Sequence, residues 1–359
     1  MNVRMGIMAE LPLRTRGQPK TATGVMERVR WRCRRVPSRH AATRRPSSVY
    51  HQRVVEESFG ESGMSPESPM PITPGASRTV RILDGMRDAA ALLLLDPARR
   101  PGEPSAALVR WVVPLGLLVG LAWAATFRGA WRLYGEVGGL RLLPALAVVV
   151  LEALLTGRYL TLALSHVADT LDRASPNPEV RQLDDLGAPV RLRGALILVL
   201  LVLVQWTLIV SIPVVNPWWP PPDDWRSVFN FLYPQPIYRP LLLAPLWGRW
   251  SILLAASIGR TAPGADALTA AACGRMTPAR LLRQAVVPLL LSCIYFSRER
   301  NFLIGAFMAL GVLTVSYLSA VALARRCGGQ TRITLLATGQ IGQIGFLAIY
   351  RALWGHIYL

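Results

Sequence analysis

Cysteine pairs, acidic side chains and interleaved aromatics are scarce in this chain, and each shortage excludes a class of protein. The four cysteines among 359 residues show neither a CxxC pair nor regular spacing, so we expect neither a disulfide framework nor a cysteine metal cage. Lysine and arginine together outnumber aspartate and glutamate by 40 to 21. Basic tracts attract phosphate backbones, but residues 1–50 contain only Trp31 and Tyr50 and lack the interleaved aromatics that single-strand binding uses. We therefore predict no nucleic-acid partner.

The N-terminal segment is predicted to be a basic, disordered extension over residues 1–80. It combines high positive charge with low hydrophobicity, a composition that cannot bury enough apolar surface to fold. No apolar stretch follows the charges, as a secretory signal would require. Alternatively, the true start codon lies at Met64, Met70 or Met86. The function is expected to reside in a membrane domain over residues 81–359.

Apolar residues arrive in long blocks, at a mean hydropathy of +0.33. A helix of about 20 residues crosses the hydrocarbon of a bilayer. Two blocks reach that length alone, and the others need their flanks; the shortest, 285–296, is compatible with a re-entrant segment. We predict an all-α fold, a polytopic membrane bundle of about seven helices, at 112–127, 142–155, 195–215, 241–258, 285–296, 302–324 and 335–353.

Arginines are unevenly distributed over the loops. With such spans, the loops 158–193, 259–284 and 325–332 share one side of the membrane and carry most of the cations. The positive-inside rule places these loops in the cytoplasm. We therefore predict a multi-pass protein of the inner membrane, surrounded by lipid, with its site facing the cytoplasm.

A small acidic cluster ends the apolar helix at 154–173. Asp169 and Asp172 stand three residues apart, which places them on one face of a helix. Mg²⁺ prefers carboxylate oxygen and keeps some of its water for a phosphate ligand, so the pair is a candidate catalytic and metal site. The alternative is that both side chains are merely solvated where the helix leaves the membrane.

The following loop carries further charges of both signs. Asp184 and Asp185 precede Arg191 and Arg193, just before the third span. Carboxylates could hold a metal ion while guanidinium groups neutralise phosphoryl oxygens. The loop therefore favours binding of a metal–diphosphate unit.

Polar side chains inside apolar helices are costly, so each is a candidate for function. Arg249 either binds phosphate through its guanidinium fork, extends toward the lipid headgroups or forms a structural pair with Glu152. For Gln340 and Gln343 the favoured role is interhelical hydrogen bonding, with binding of a polar substrate as the alternative. His166 could act as a base, but a lone histidine is more often structural.

The order of these elements resembles the cobalamin synthase family, the adenosylcobinamide-GDP ribazoletransferases, from about Leu83 to the end. The matching pieces are short, and their order along the chain carries the resemblance. They are the amphipathic entry MRDAAALLLLDPARRP, the first span with VVPLGLLVGL, the acidic helix end SHVADTLDR, the loop and span LDDLGAPVRLRGALILVL, the segment LLLAPLWGRW and the turn LARRCGGQT.

The resemblance implies a Mg²⁺-dependent transferase that joins α-ribazole, or its 5′-phosphate, to adenosylcobinamide-GDP and releases GMP. Other cobalamin-pathway enzymes would be partners in the membrane. Carried over by position, Asp169 and Asp172 would hold Mg²⁺, and Asp185 would assist catalysis. The side chains that would contact substrate are Arg191, Arg193, Arg249, Ser165, His166 and Gln340.

Several positions depart from the family pattern. Ser165 and His166 stand where the family has an aspartate and a glycine. Arg332 and Ile333 replace a glycine–aspartate step, and glutamines replace two glutamates on the last span. A site with fewer anionic ligands binds Mg²⁺ more weakly, which puts catalysis in question.

Other functions therefore stay open. A family member without catalysis could bind a nucleotide or corrinoid, or act as a scaffold for other pathway enzymes. A CDP-alcohol phosphotransferase would need a DG-x-x-AR motif, which the sequence lacks. A transporter would be expected to show an inverted repeat, and none stands out.

Overall fold

The computed structural model describes residues 78–93, 104–105, 107–134, 141–156, 159–170, 190–214, 235–297 and 302–357. The chain divides into two units, 1–70 and 71–359, and all described residues belong to the second unit. The predicted extension over 1–80 lies almost wholly outside the described residues and stays a prediction.

Within the described residues the fold is helical, which confirms the predicted class. The helices are α1 (Arg78–Leu93), α2 (Leu108–Tyr134), α3 (Leu142–Leu155), α4 (Tyr159–Thr170), α5 (Leu192–Ser211), α6 (Tyr238–Ser257), α7 (Ala267–Arg275), α8 (Pro278–Ser297), α9 (Phe302–Arg326) and α10 (Arg332–Ile357). Strand pairing in this part of the chain is limited to an isolated bridge between Thr261 and Gln330.

Helix α6 forms the centre of the bundle. Its residues are buried almost without exception, and it packs against α2, α8, α9 and α10. Gly120 of α2 allows one of these contacts, because a Cβ there would come within 2.5 Å of the Leu242 carbonyl oxygen. Small residues let membrane helices approach closely in this way.

Within the described residues, fewer helices than the predicted seven are long and apolar enough to cross a membrane. Five helices, α2, α5, α8, α9 and α10, are long and apolar enough to span, and the bent pair of α3 and α4 makes up to six. The central helix α6, predicted as a span at 241–258, is not among them. Because its neighbours enclose it, α6 does not need an apolar surface toward lipid.

The structure settles two expectations about individual helices, one through the length of α8 and one through the angle between α3 and α4. The short block 285–296 is part of a 20-residue helix, α8, which is long enough to cross and need not be re-entrant. The helix at 142–155 does not continue straight to Asp169, because the axes of α3 and α4 differ by 80°.

Hydrogen bonds tie several loops together at one end of the bundle, which we call the basic end. Gln330 donates from Nε2 to the Ile258 carbonyl at 2.9 Å, which joins the end of α6 to the start of α10. Arg332 donates to the Leu92 carbonyl at 3.4 Å, which adds the end of α1. The loops at 259–284 and 325–332 therefore lie at the same end of the bundle, as the order of the predicted spans requires.

The opposite end is held by aromatic side chains. Trp206 near the end of α5 donates to the Leu142 carbonyl at 3.1 Å, and Tyr350 donates to the Pro236 carbonyl at 2.8 Å. The rings of Phe127 and Tyr238 lie 6.1 Å apart, edge to face. Successive helices thus run between these two ends, while the assignment of the basic end to the cytoplasm stays a prediction.

Candidate functional site

The acidic end of α4 is joined to the start of α5 through Asp169. One carboxylate oxygen of Asp169 accepts a hydrogen bond from the Arg191 amide at 2.9 Å, and the other accepts one from the Gly194 amide at 2.8 Å. The N-cap of α5 is Arg191, whose side chain makes no capping bond. Asp169 therefore supplies the cap from another helix, and its negative charge lies at the positive end of the α5 dipole.

Glycine at position 194 makes this contact possible. A Cβ built there would lie 2.5 Å from Asp169 Oδ2, 2.7 Å from Val190 Cγ1 and 2.8 Å from the Ser165 carbonyl oxygen. Real Cβ atoms do not approach other atoms so closely. The segment VRLRG thus lets the backbone of α5 pass directly beside the acidic helix end.

Ser165 and His166 lie about one turn before Asp169 on the inner face of α4. Ser165 is fully buried, and its hydroxyl donates to the Leu162 carbonyl at 2.7 Å. His166 is buried, and its Nε2 has no hydrogen-bond partner among the described residues. Neither observation assigns a substrate role to these residues, which stays a prediction.

The predicted metal site is described only in part. Asp172 and Asp185 lie outside the described residues, as does Asp184, and within the described ranges no group of three metal-ligating side chains occurs. Asp169 fits the position of one ligand, because a carboxylate has about four lone-pair sites and amide donors occupy one on each oxygen. Arg191 and Arg193 are exposed at the start of α5, beside this carboxylate.

A second polar cluster lies in the interior of the bundle, around Glu152 of α3. Its carboxylate accepts a hydrogen bond from Gln343 Nε2 of α10 at 2.6 Å and a short one from Gln205 of α5. Arg249 of α6 lies 3.7 Å from the same carboxylate and donates to Gln343 Oε1 at 2.5 Å. We call Glu152, Arg249, Gln205, Gln340 and Gln343 the interior network.

The interior network links four helices and is closed to solvent. Gln340 donates to Gln205 at 3.1 Å, and all five side chains are buried. The structural pair of Arg249 with Glu152, one of the alternatives for this arginine, is observed, and so is the interhelical bonding favoured for the glutamines. Binding of substrate by Arg249 or Gln340 stays a prediction; Arg249 Nη2 and Gln340 Oε1 have no hydrogen-bond partner within the part of the chain described.

Sequence reasoning missed Gln205. It is a lone amide in the apolar segment LVLVQWTLIV, and the rule that polar groups inside membrane helices are costly would have selected it. Arg332 was considered only as a cation of the loop 325–332 and, with Ile333, as a departure from the family pattern. In the structure its guanidinium donates to the carbonyl oxygens of Ala91 and Leu92 and lies 5.8 Å from the ring centroid of Tyr159, so this arginine joins α1, α4 and α10.

These features define a multi-pass helical membrane protein with an acidic helix end and a buried charged network. The sequence model of the cobalamin-5-phosphate synthase family matches residues 97–350. The chain therefore belongs to this family, whose members are transferases of cobalamin biosynthesis. No curated protein and no solved structure matches the chain.

Proposed function

We propose that this protein joins α-ribazole, or its 5′-phosphate, to adenosylcobinamide-GDP. The observation that carries the proposal is the family match over 97–350, which includes α4, α5 and the loop between them. In the reaction a ribose hydroxyl attacks the phosphorus that bears the cobinamide. The new phosphorus–oxygen bond forms as the bond to the GMP oxygen breaks, and the hydroxyl loses its proton.

The chemistry requires positioning and neutralisation of charge rather than a covalent intermediate with the protein. The junction of α4 and α5 supports this role, since Asp169 is held in place by two amide donors while exposed arginines begin α5. Asp169 and Asp172 would hold Mg²⁺, which when bound would offset the charge of the diphosphate, and Asp185 would assist catalysis. Arg191 and Arg193 would contact phosphate oxygens.

The site is proposed to face the cytoplasm of a cell with an inner membrane, where nucleotide substrates are present. This orientation follows from the positive-inside rule and from the clustering of arginine-bearing loops at the basic end. Partnership with other cobalamin-pathway enzymes is part of the same proposal.

The test compares two aspartates that cap helices. Asp169→Asn removes the charge beside α5, and Asp266→Asn makes the same change at the N-cap of α7, where the side chain accepts a bond from the Thr269 amide at 2.9 Å. Asparagine is also a good cap, so each variant should lose at most about 1 kcal/mol of stability, through the lost attraction between the carboxylate and the helix dipole. Only Asp169→Asn should abolish Mg²⁺-dependent release of GMP from adenosylcobinamide-GDP and α-ribazole in nanodiscs. Equal turnover in the two variants would contradict the proposal.

A family member that binds but does not catalyse is a second candidate, and one observation favours it. Both oxygens of Asp169 accept backbone hydrogen bonds, which is sufficient to explain an aspartate at this position without a metal. Binding of adenosylcobinamide-GDP measured by calorimetry, together with no release of GMP over a range of Mg²⁺ concentrations, would favour this function over the transferase.

A further inference from the structure

A basic cavity of about 430 Å³ opens at the basic end, near the starts of α2 and α8. It uses none of the residues of the α4–α5 junction or the interior network. Four arginines from three helices converge on it, and none of the described lining residues is acidic. The lining residues are Val109, Arg110, Arg275, Arg280, Arg283 and Gln284.

Backbone oxygens, rather than carboxylates, hold two of these arginines in place. Arg275 donates to the carbonyl oxygens of Pro104 at 2.8 Å and Ser105 at 2.5 Å. Arg280 in turn donates to the Arg275 carbonyl at 2.6 Å. A carbonyl oxygen orients a guanidinium group without neutralising its charge, so both cations keep their full charge at the cavity.

The other two arginines have no side-chain partner within the described part of the chain. Arg110 and Arg283 are exposed, and neither guanidinium group forms a hydrogen bond or an ion pair with a residue of the described ranges. The cavity therefore presents four positive charges and no compensating carboxylate from the described residues. Planar guanidinium groups bind phosphate oxygens in pairs.

The positions of these arginines on their helices are unfavourable without a ligand. Arg110 is the third residue of α2, and Arg280 and Arg283 are the third and sixth residues of α8. The start of a helix carries the positive end of its dipole, which disfavours cations and favours anions. Neither helix has an acidic residue in its first turn. The positive-inside rule explains arginines in this region, but not their convergence on one cavity at two helix starts.

The outer face of α8 continues from the arginines into an apolar row. Val286, Val287 and Leu290 follow Arg283 by three, four and seven residues, and are 48%, 45% and 54% exposed. Helix α8 is a candidate membrane span of which little is buried inside the protein, so this row faces lipid. An elongated ligand bound here would contact the arginines with its anionic head group and the apolar row with its hydrocarbon tail.

We propose that Arg110, Arg275, Arg280 and Arg283 bind the phosphate of an acidic phospholipid whose acyl chains lie along Val286, Val287 and Leu290. The group that the arginines recognise is a phosphate ester, which soluble compounds also carry. The exposed apolar row on α8 favours a lipid over a soluble compound as the ligand. The proposal does not depend on the transferase reaction.

The experiment compares two double variants with equal loss of charge. Arg280→Gln with Arg283→Gln alters the cavity. The control, Arg260→Gln with Arg325→Gln, removes two exposed arginines outside the cavity at the same end, one after α6 and one in the last turn of α9. Binding of phosphatidylglycerol and phosphatidylcholine to the full chain in detergent is titrated by native mass spectrometry. The cavity variant should bind phosphatidylglycerol at least about tenfold more weakly than the wild type, since charge-assisted hydrogen bonds are lost.

The control variant should keep its affinity and its preference for phosphatidylglycerol over phosphatidylcholine. If both variants lose affinity equally, the attraction is a general surface effect and the proposal is overturned. A second arm titrates inorganic diphosphate in detergent without lipid. If diphosphate binds in an Arg280- and Arg283-dependent way while phosphatidylglycerol does not, the lipid assignment is overturned and the ligand is a soluble phosphate.

Discussion

At the scale of single residues, the carboxylate of Glu152 makes the most consequential contacts. It meets Arg249, Gln205 and Gln343 from three other helices, in the interior of a membrane bundle. The attraction within a buried ion pair is largely offset by the cost of removing both charges from water. Removal of one partner, however, leaves the other charge uncompensated, so the two residues should behave as a unit.

A double-mutant cycle tests this coupling. Glu152→Gln or Arg249→Met alone should lower the free energy of unfolding by about 3–5 kcal/mol, and the double variant should recover most of that loss. Thermal unfolding in detergent, followed by circular dichroism, provides the measurement. Arg351→Met, at an exposed position on α10, should change stability by less than about 0.5 kcal/mol. A double variant as unstable as the sum of the single variants would contradict the coupling.

The contact between Gly194 and Asp169 gives a second prediction at this scale. Gly194→Ala places a Cβ 2.5 Å from Asp169 Oδ2, so the carboxylate must move away from the α5 amides. We expect a loss of about 1 kcal/mol or more, from the cap alone, and a loss of GMP release. Gly274→Ala in α7, where a Cβ meets open space, should be neutral in stability assays and turnover. Full turnover by Gly194→Ala would show that catalysis does not depend on the position of the Asp169 carboxylate, which would contradict the prediction.

At the scale of the elements, the approach of α2 to α6 depends on glycine. Gly120→Ala directs a Cβ at the backbone of Leu242, 2.5 Å from the carbonyl oxygen and 3.0 Å from Cα. Because a backbone cannot move aside without separating the helices, we expect a destabilisation of about 1–3 kcal/mol. Thermal unfolding measures it.

The same helix provides the control. Gly129 is exposed near the end of α2, and a Cβ there meets nothing within 4 Å. Gly129→Ala should stabilise the protein slightly, because alanine is the better helix former by about 1 kcal/mol. Equal effects of the two substitutions would mean that close packing of α2 on α6 is not needed.

At the scale of the whole molecule, the two ends of the bundle predict an orientation in the membrane. In a background with the four cysteines replaced by serine, Arg325→Cys marks the basic end and Leu133→Cys marks the opposite end. An impermeant maleimide should label Leu133→Cys on intact spheroplasts and Arg325→Cys only after the membrane is opened. The reverse pattern would place the acidic helix end outside the cytoplasm.

The native cysteines are poor reporters for that experiment. Burial raises the pKa of the Cys273 thiol, and the same cause raises the pKa of Cys327 beyond the end of α9. The thiolate is the reactive form, so a raised pKa lowers reactivity at neutral pH. Labelling of Cys273 should accelerate as the pH rises.

Several parts of this protein follow from the sequence alone. The helices that face lipid were predicted because a bilayer demands long apolar segments, and the order of short motifs predicted the family that the match over 97–350 confirms. The pairing of Arg249 with Glu152 was among the stated alternatives, since an isolated charge inside a bundle is too costly to leave uncompensated.

Tertiary structure decided the rest. The role of Asp169 as a cap for α5 depends on an 80° turn between α3 and α4 and on the approach of Gly194, and local sequence specifies neither. The central position of α6, and the approach of Arg110 on α2 to the three arginines of α7 and α8, likewise arise from helices distant along the chain. Periodicity and composition determine how each segment meets water or lipid, whereas contacts between segments depend on how all of them pack together.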